Sequence, residues 1–406
     1  MLLFLIQYLI EKVGIHVPSV FFYSSTRMML SALTTLILTI FLGPFFIKKL
    51  YELKIGQPIR SEAICPVLAE LHKKKKNTPT MGGILILFSM FISLFLWMDL
   101  TNSFTWILAI TALWLGCVGG IDDFLKLRHK NSKGMPARLK FFLQILFAAL
   151  FASYLLFPNI TTVFSGKDNF SPPVAKEYSL NKKVHKLTSQ TLTTKEYASR
   201  LYIPFFKKAL VGKSGFATGL FFLFFLFIVI GSSNAVNLSD GLDGLASGLL
   251  VMVASVFALV AFFSNNVYIA KYLHILYIEG SAEIGVFLFA LIGACLGFLW
   301  YNGYPAQVFM GDVGSLSLGG IIGVSAILLK REILLAIVGG IFVMEVLSVV
   351  LQVLSFRYRN KKRIFLCSPL HHHFEYKGWA ETKVVLRFWI VGLLLAIIGL
   401  ASLKFQ

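Results

Sequence analysis

Two carboxylates stand three residues apart in the polar segment Asn234-Ala-Val-Asn-Leu-Ser-Asp-Gly-Leu-Asp-Gly-Leu245. They are Asp240 and Asp243, and one long apolar run precedes the segment while another follows it. If a helix begins here, residues three apart share one of its faces, so both carboxylates can point at one ligand. A helix cap is the simpler interpretation, but a cap needs one such residue and this segment has several. Polar residues between apolar segments of bilayer length favour a wet, functional cavity.

Three further carboxylates lie at the ends of apolar segments. Asp122 and Asp123 follow a glycine pair, and Asp312 lies between Gly311 and Gly314. Adjacent side chains on a helix diverge by about 100°, so only one of the first two points at a given atom. A solvated helix end is the alternative, but acids at a helix C-terminus oppose the dipole, which favours a function. The glycines around Asp312 allow backbone N–H groups and a ligand to approach closely.

The histidine triplet His371-His-His373 follows Pro369 in a basic loop. Such a triplet binds a metal, donates to phosphate or is a solvated run. Oxygen-rich carboxylates elsewhere and the lack of a matching fourth ligand favour phosphate or sugar contact over a Zn²⁺ site. The four lysines 73–76 are typical either of a phosphate site or of a patch for lipid headgroups.

Two other features leave alternatives open. Phe309 either stacks on a base or anchors its loop in lipid. Glu345 and Gln352, seven residues apart, share one helix face and are expected to look into the helix bundle, as interhelical contacts or as a cavity wall.

The composition is that of a membrane protein. Of the 406 residues, 57% are hydrophobic and 14% are charged, and the mean hydropathy is +0.77. A soluble chain of this length could not bury so much apolar surface, so the sequence predicts an all-α polytopic membrane protein. The net charge of +19 lies in loops, which favours anionic lipids or substrates over nucleic acid. Four scattered cysteines without a CxxC pair indicate neither a zinc site nor a disulfide framework.

Hydropathy predicts ten membrane spans. They cover about residues 28–47, 81–98, 104–121, 141–157, 216–233, 245–263, 284–301, 314–330, 333–355 and 384–403. Residues 1–10 are apolar but short and lack a small-residue cleavage site, which favours an interfacial helix over a signal peptide.

Basic residues predict the sidedness of the chain. They concentrate in the loops after the first, third and ninth spans, so these loops face the cytoplasm and both termini are periplasmic. By this count the lysine-rich segment 158–215 is external. Its lysines do not overturn the count, because long loops follow the charge rule poorly. Its composition predicts a flexible or loosely folded external insertion in a single transmembrane catalytic domain covering residues 1–406.

The same count places every candidate group on one membrane face. Asp122, Asp240, Asp312 and His371 follow the third, fifth, seventh and ninth spans, on the basic face. Scattered helix caps would have no reason to choose one side. Carboxylates facing a cation-rich cavity suit Mg²⁺ and a polyphosphate substrate, because Mg²⁺ takes oxygen ligands and shares phosphate oxygens with few carboxylates.

Together these motifs resemble one family. Five blocks carry the resemblance and follow the family's order: Thr78-Pro-Thr-Met-Gly-Gly83, Asp122-Asp123, Asn234–Gly244, Val308-Phe-Met-Gly-Asp-Val-Gly-Ser-Leu316 and His371-His-His373. They are similar to those of the phospho-N-acetylmuramoyl-pentapeptide transferases, a bacterial family of the polyprenyl-phosphate N-acetylhexosamine-1-phosphate transferase superfamily. Asn77 departs from the family, which usually has glycine there, and the four lysines blur which one aligns.

The resemblance implies a reaction and a setting. A phosphoglycosyl transferase of this kind joins UDP-N-acetylmuramoyl-pentapeptide to undecaprenyl phosphate and gives lipid I and UMP, with Mg²⁺. It also implies ten spans in the bacterial inner membrane, external termini, a site facing the cytoplasm and commonly a homodimer.

The resemblance also implies residue roles. Asp312 would ligate Mg²⁺, Asp122 would act on the lipid phosphate with support from Asp123, and Lys75 and His371 would contact phosphates. The nucleoside pocket would be formed by Asn237, Asp240, Gly241, Leu242, Asp243 and Phe309, with Phe309 facing the uracil. Further pocket residues would be Thr80, Asn302, Gln352 and His372.

Three alternatives remain at this point. A sister enzyme would transfer N-acetylglucosamine-1-phosphate to the same lipid, but the His triplet and the sequence after it favour the muramoyl enzyme. A secondary transporter should show inverted repeats and ionisable residues at mid-membrane depth, whereas the acids here lie at span ends. A structural scaffold would not need the cluster.

Overall fold

The computed structural model describes residues 8, 12, 18–53, 78–129, 134–157, 159–160, 163, 173–181, 186–206, 209–212 and 215–404. Lys75 and almost all of the apolar segment 1–10 lie outside these residues. The helices are α1 (Ser24–Glu52), α2 (Gly83–Trp97), α3 (Ser103–Arg128), α4 (Ala137–Leu156), α5 (Thr194–Ala198), α6 (Gly215–Ser239), α7 (Leu245–Ser264), α8 (Val267–Tyr272), α9 (Ala282–Asn302), α10 (Gly311–Leu328), α11 (Glu332–Val338), α12 (Gly340–Tyr358), α13 (Leu370–Tyr376) and α14 (Glu381–Lys404). The strands are β1 (Ala175–Asn181), β2 (Lys186–Thr191), β3 (Arg200–Leu201), β4 (Leu210–Val211) and β5 (Tyr277–Ile278).

The long helices confirm a polytopic membrane protein. Among the described residues, nine helices are long and apolar enough to cross a membrane. Each predicted span corresponds to a helix, and α2, with 15 residues, is the apolar helix that falls short of that length. At 1.5 Å per residue it is about 22 Å long, which is less than the ~30 Å of a hydrocarbon core. The ninth predicted span is divided at Gly339 into α11 and α12.

The core lies around α9 and α10, whose residues are almost all buried. Helix α9 packs against α1 and α7, and α10 packs against α3 and α6. Small residues let these helices approach: a Cβ on Gly319 would lie 2.5 Å from the Ser232 carbonyl oxygen of α6. Close backbone approach is the usual source of helix association in lipid, where burial of apolar surface supplies little.

The segment 158–215 differs from its prediction. We expected a loosely folded excursion, but its described residues form short strands and the helix α5. Strand β1 pairs antiparallel with β2 and with β5, so the segment is joined by hydrogen bonds to the chain just before α9. The buried hydroxyl of Tyr197 on α5 donates to the Leu328 carbonyl at the end of α10. The segment therefore adds a small sheet to an otherwise helical fold.

A buried ion pair joins α1 to α9 at the end of the bundle away from the acidic residues. Arg27 Nη1 lies 2.6 Å from Glu283 Oε1, and the two side chains are 10% and 5% exposed. Arg27 also donates to the Trp97 carbonyl, and the other Glu283 oxygen accepts from Asp99 N–H at 2.9 Å. Removing one partner of such a pair leaves the other charge buried and unpaired.

We therefore expect Glu283→Gln to lower the free energy of unfolding by roughly 3 kcal/mol. The measurement is the midpoint of thermal unfolding of the purified protein in detergent. Lys49→Ala is the matched control, because Lys49 and Glu52 form an ion pair whose side chains are 60% and 51% exposed. Equal midpoints for the two variants would show that the buried pair is not stabilising.

Candidate functional site

Two helix ends bring three carboxylates together. Asp122 and Asp123 lie in the last turns of α3, and Asp312 lies in the first turn of α10. One oxygen from each of the three lies within 4.8 Å of the others, and all three residues are buried. Residues almost 190 positions apart thus form one acidic cluster, as the span count predicted. Both acids of the Asp122–Asp123 pair, each of which was a predicted site residue, take part, although their helical spacing suggested that only one would point at a given atom.

Two lysines neutralise most of this charge. Lys126 Nζ lies 2.8 Å from Asp122, 3.4 Å from Asp123 and 2.8 Å from Asp312. Lys140 Nζ, from the first turn of α4, lies 3.1 Å from Asp122 and 2.5 Å from Asp312. From the sequence, both lysines counted only among the basic residues that predict sidedness. Lys126 had a detectable signal, because it stands four residues after Asp122 on one helix face. Lys140 had none.

Backbone N–H groups complete the cluster. The N–H of Met135 donates to Asp122 at 2.7 Å, and the N–H of Val313 donates to Asp123 at 3.3 Å. Gly311 makes the second contact geometrically feasible: its φ is +72°, and a Cβ there would lie 2.6 Å from Asp123 Oδ2 and 2.8 Å from Thr80 Oγ1. A side chain at position 311 would therefore be both strained and in collision.

The segment before α2 lies directly on the loop that leads into α10 and Asp312. Phe309 N–H donates to the Pro79 carbonyl, and Gly82 N–H donates back to the Phe309 carbonyl, both at 2.8 Å. These bonds hold the buried Thr80 beside Gly311 and leave the Phe309 side chain half-buried. The structure thus places both of these predicted pocket residues next to Asp312.

The loop between α6 and α7 carries Asp240 and Asp243, whose surroundings differ from each other. Asp240 is partly buried, and its pKa is raised to about 7, because burial disfavours its charge and because Asp312 and Asp123 repel it. Gly241 is exposed, whereas Leu242 packs in the core. Asp243 is also buried, and its carboxylate accepts from the N–H of Ala306 at 2.9 Å.

Two predicted pocket amides hold loops in place. Asn302, the last residue of α9, accepts from Gly244 N–H at 3.1 Å and donates to the Val308 carbonyl at 2.9 Å. Gln352 on α12 accepts from the N–H groups of Ile364 and Phe365 and donates to the Phe365 carbonyl. Asn237 lies in the last turn of α6, half-buried and one turn before Asp240.

The histidine triplet forms most of the short helix α13. His371 is fully buried, and its ring lies against Gly241, where an added Cβ would come 2.9 Å from Cε1. His372 Nδ1 lies 2.7 Å from Glu375 Oε2. His373 accepts from the N–H of Leu366 at 3.1 Å. His371 therefore contacts the loop between α6 and α7, whereas His372 and His373 pair with residues of their own segment.

The acidic cluster fits a divalent metal ion. Its donors are all carboxylate oxygens, which suit Mg²⁺, and Lys126 already places one positive charge among all three carboxylates. Three carboxylates against two ammonium groups leave net negative charge for a further cation. Asp312 is the most accessible of the three, with a side chain that is 12% exposed against 3–4% for the others.

Comparison with known proteins places the chain among transferases. Residues 105–330 match the family model described as glycosyl transferase family 4, and residues 75–87 match the phospho-N-acetylmuramoyl-pentapeptide-transferase signature 1. A phospho-N-acetylmuramoyl-pentapeptide-transferase of Protochlamydia amoebophila is 63% identical over the full length of both chains. Proteins of the same name from Thermodesulfovibrio yellowstonii and Desulfotalea psychrophila are 45% and 43% identical over 96% of each chain.

The close contacts around Gly311 generate a prediction. Gly311→Ala forces a non-glycine residue to φ +72° against Thr80 and Asp123, and we expect it to lower the free energy of unfolding by about 1–3 kcal/mol. The midpoint of thermal unfolding measures this change. Gly231→Ala in α6 is the control, since nothing lies within 4 Å of its added Cβ. Unchanged stability in Gly311→Ala would mean that the backbone there is not held against the site.

Proposed function

Because the chain belongs to the phospho-N-acetylmuramoyl-pentapeptide-transferase family and is a phosphoglycosyl transferase, we propose its reaction in detail. It transfers phospho-N-acetylmuramoyl-pentapeptide from UDP to undecaprenyl phosphate, with Mg²⁺, and gives lipid I and UMP. This is the first membrane step of peptidoglycan synthesis, on which cell shape and cell division depend. The observation that carries the proposal is the convergence of Asp122, Asp312 and the His371 loop at one end of the bundle.

The residue roles follow from position and charge. Asp312, the most accessible carboxylate of the cluster, is the proposed Mg²⁺ ligand. Asp122 orients the lipid phosphate or takes its proton, and Asp123 supports the site through Val313 N–H. The nucleoside lies against Asp240 and Gly241, with Phe309 facing the uracil. Asn237, Thr80 and His372 line its surroundings, while Leu242, Asp243, Asn302 and Gln352 hold the pocket walls.

Charge neutralisation is the main task of these residues. A phosphate oxygen of the lipid is already a nucleophile, so the protein must bring two anions together and stabilise the leaving UMP. Bound Mg²⁺ would supply positive charge at the phosphate oxygens. Lys126 and Lys140 supply two more positive charges and also keep the carboxylates from repelling one another. His371, beside the loop between α6 and α7, contacts a phosphate. Lys75, which is not among the described residues, is proposed to contact a phosphate as well.

The proposed orientation follows from the loops at this end. Arg357 lies in the last turn of α12, Arg359 and the run 361–363 follow that helix, and Lys48 and Lys49 lie near the end of α1, at the same end as the acidic cluster. The positive-inside rule puts this end in the cytoplasm and both termini in the periplasm, in the bacterial inner membrane. The chain would work as one catalytic unit, as a homodimer and in contact with membrane lipid.

Asp312→Asn is expected to lower the rate of UMP release by at least about 100-fold, because it removes the charged metal ligand. The assay follows UMP release from UDP-N-acetylmuramoyl-pentapeptide with and without undecaprenyl phosphate and Mg²⁺. Asp99→Asn is the control, because that carboxylate accepts from Thr101 at the far end of α2. Near-normal turnover of a folded Asp312→Asn variant would remove Asp312 from the metal role.

Sidedness has its own test, which uses Cys367, a partly exposed cysteine in the loop before α13. A membrane-impermeant maleimide should label Cys367 in inverted membrane vesicles and leave it unlabelled in spheroplasts, as read by mass spectrometry of the peptide. A cysteine introduced by Tyr268→Cys, at an 80% exposed position on α8, should show the opposite pattern. Labelling of Cys367 from outside would reverse the proposed orientation.

A further inference from the structure

A buried carboxylate on α12, that of Glu345, contacts the first histidine of the triplet, His371, at two atoms. Glu345 Oε1 accepts from the backbone N–H of His371 at 3.2 Å, and Glu345 Oε2 lies 3.1 Å from His371 Nδ1. Both residues are 0% exposed. One carboxylate therefore holds the backbone and the ring of the same residue, across 26 positions of the chain.

The position of the Glu345 carboxylate determines which ring nitrogen of His371 faces the loop between α6 and α7. Nδ1 is the ring nitrogen nearer to the carboxylate, 3.1 Å from Oε2, and because the two atoms lack hydrogen-bond alignment their attraction is electrostatic and favours a protonated Nδ1. The opposite edge of the ring, with Cε1 and Nε2, lies against Gly241, which has no side chain to keep it away. Nε2 is buried and has no hydrogen-bond partner among the described residues. A ligand atom that reached that position would satisfy it.

We propose that Glu345 is a positioning residue that orients His371, so that Nε2 contacts a phosphate oxygen of the nucleotide substrate. The proposal rests on the proposed function, since it names what turns the histidine toward that substrate. With Nδ1 protonated beside Glu345, Nε2 can donate to a phosphate only if it is protonated as well, that is, in the imidazolium form. The Glu345 carboxylate is then the counterion that a buried imidazolium requires.

A merely structural role does not account for both contacts. Binding the first turn of α13 needs one acceptor for the His371 N–H, and a glutamine at position 345 would supply it equally well. The second oxygen, 3.1 Å from Nδ1, is the part that only a carboxylate provides as a counterion. A fully buried carboxylate is otherwise unfavourable, and packing alone would be served by an apolar side chain. Charge at position 345 is thus the property to test.

The experiment compares Glu345→Gln with wild type in the UMP-release assay, using UDP-N-acetylmuramoyl-pentapeptide, undecaprenyl phosphate and Mg²⁺. We expect kcat to fall on the order of 10- to 100-fold, as is usual for the carboxylate partner of a functional histidine. KM should change little, because the contact strengthens as charge develops on the leaving phosphate. Ser348→Ala is the matched control: it is buried one turn further along α12 and also loses a hydrogen bond.

A double-mutant cycle separates orientation from folding. His371→Asn keeps a donor near Glu345 but lacks Nε2, so turnover should fall, and adding Glu345→Gln should lower it no further. Glu345→Asp keeps the charge and should retain more activity than Glu345→Gln. If Glu345→Gln does not fold, Glu345→Asp takes its place in the cycle: its shorter side chain should lower kcat when His371 is present and lower it no further in the His371→Asn variant. Equal activity of the Gln variant and wild type, independent losses in the double variant, or a less active Asp variant would each overturn the proposal. Absence of UMP release from wild type would instead refute the proposed function.

Discussion

Two ammonium groups placed among three buried carboxylates are the constraint on which the functional end of this protein depends. Asp122, Asp123 and Asp312 lie on helices that cross the bundle in opposite directions, and their oxygens lie within 4.8 Å of one another. Without Lys126 and Lys140 their mutual repulsion and desolvation would drive α3 and α10 apart or force the acids to bind protons. With them, the cluster keeps one excess negative charge. The same balance that permits folding therefore leaves the site ready for a cation and phosphates.

Close backbone approach makes that charge arrangement attainable. A Cβ on Gly83 would collide with the backbone of Gly314, and one on Gly119 would collide with the backbone of Asp312. These glycines bring α2, α3 and α10 into contact at the level of the acids, where a larger residue would separate them. In a membrane such contacts also supply association energy that apolar burial does not. Packing and site geometry thus use the same residues.

Polar residues at this end divide into those that hold loops and those that face the acidic cluster. Asn302 and Gln352 direct their amides to the backbones of neighbouring loops. Asp240 instead lies where burial and the negative charges of Asp312 and Asp123 raise its pKa. The buried Glu345–His371 pair belongs to both groups, since it binds the start of α13 and turns a ring edge toward Gly241. Rigid loops and presented groups are what a site for a large anionic substrate requires.

The sequence by itself determined the helices, the membrane class, the family and the common face of the acids. Hydrophobicity over the length of a bilayer is a local property, and counting spans turns it into sidedness for Asp122, Asp240 and Asp312. Only the tertiary structure decided which partners these acids have. Lys140 and Glu345 reach the site because of how α4 and α12 are rotated and spaced in the bundle, and that depends on packing against distant segments. Part of the sheet in segment 158–215 was not predictable for the same reason, since β1 pairs with β5, about 100 residues away.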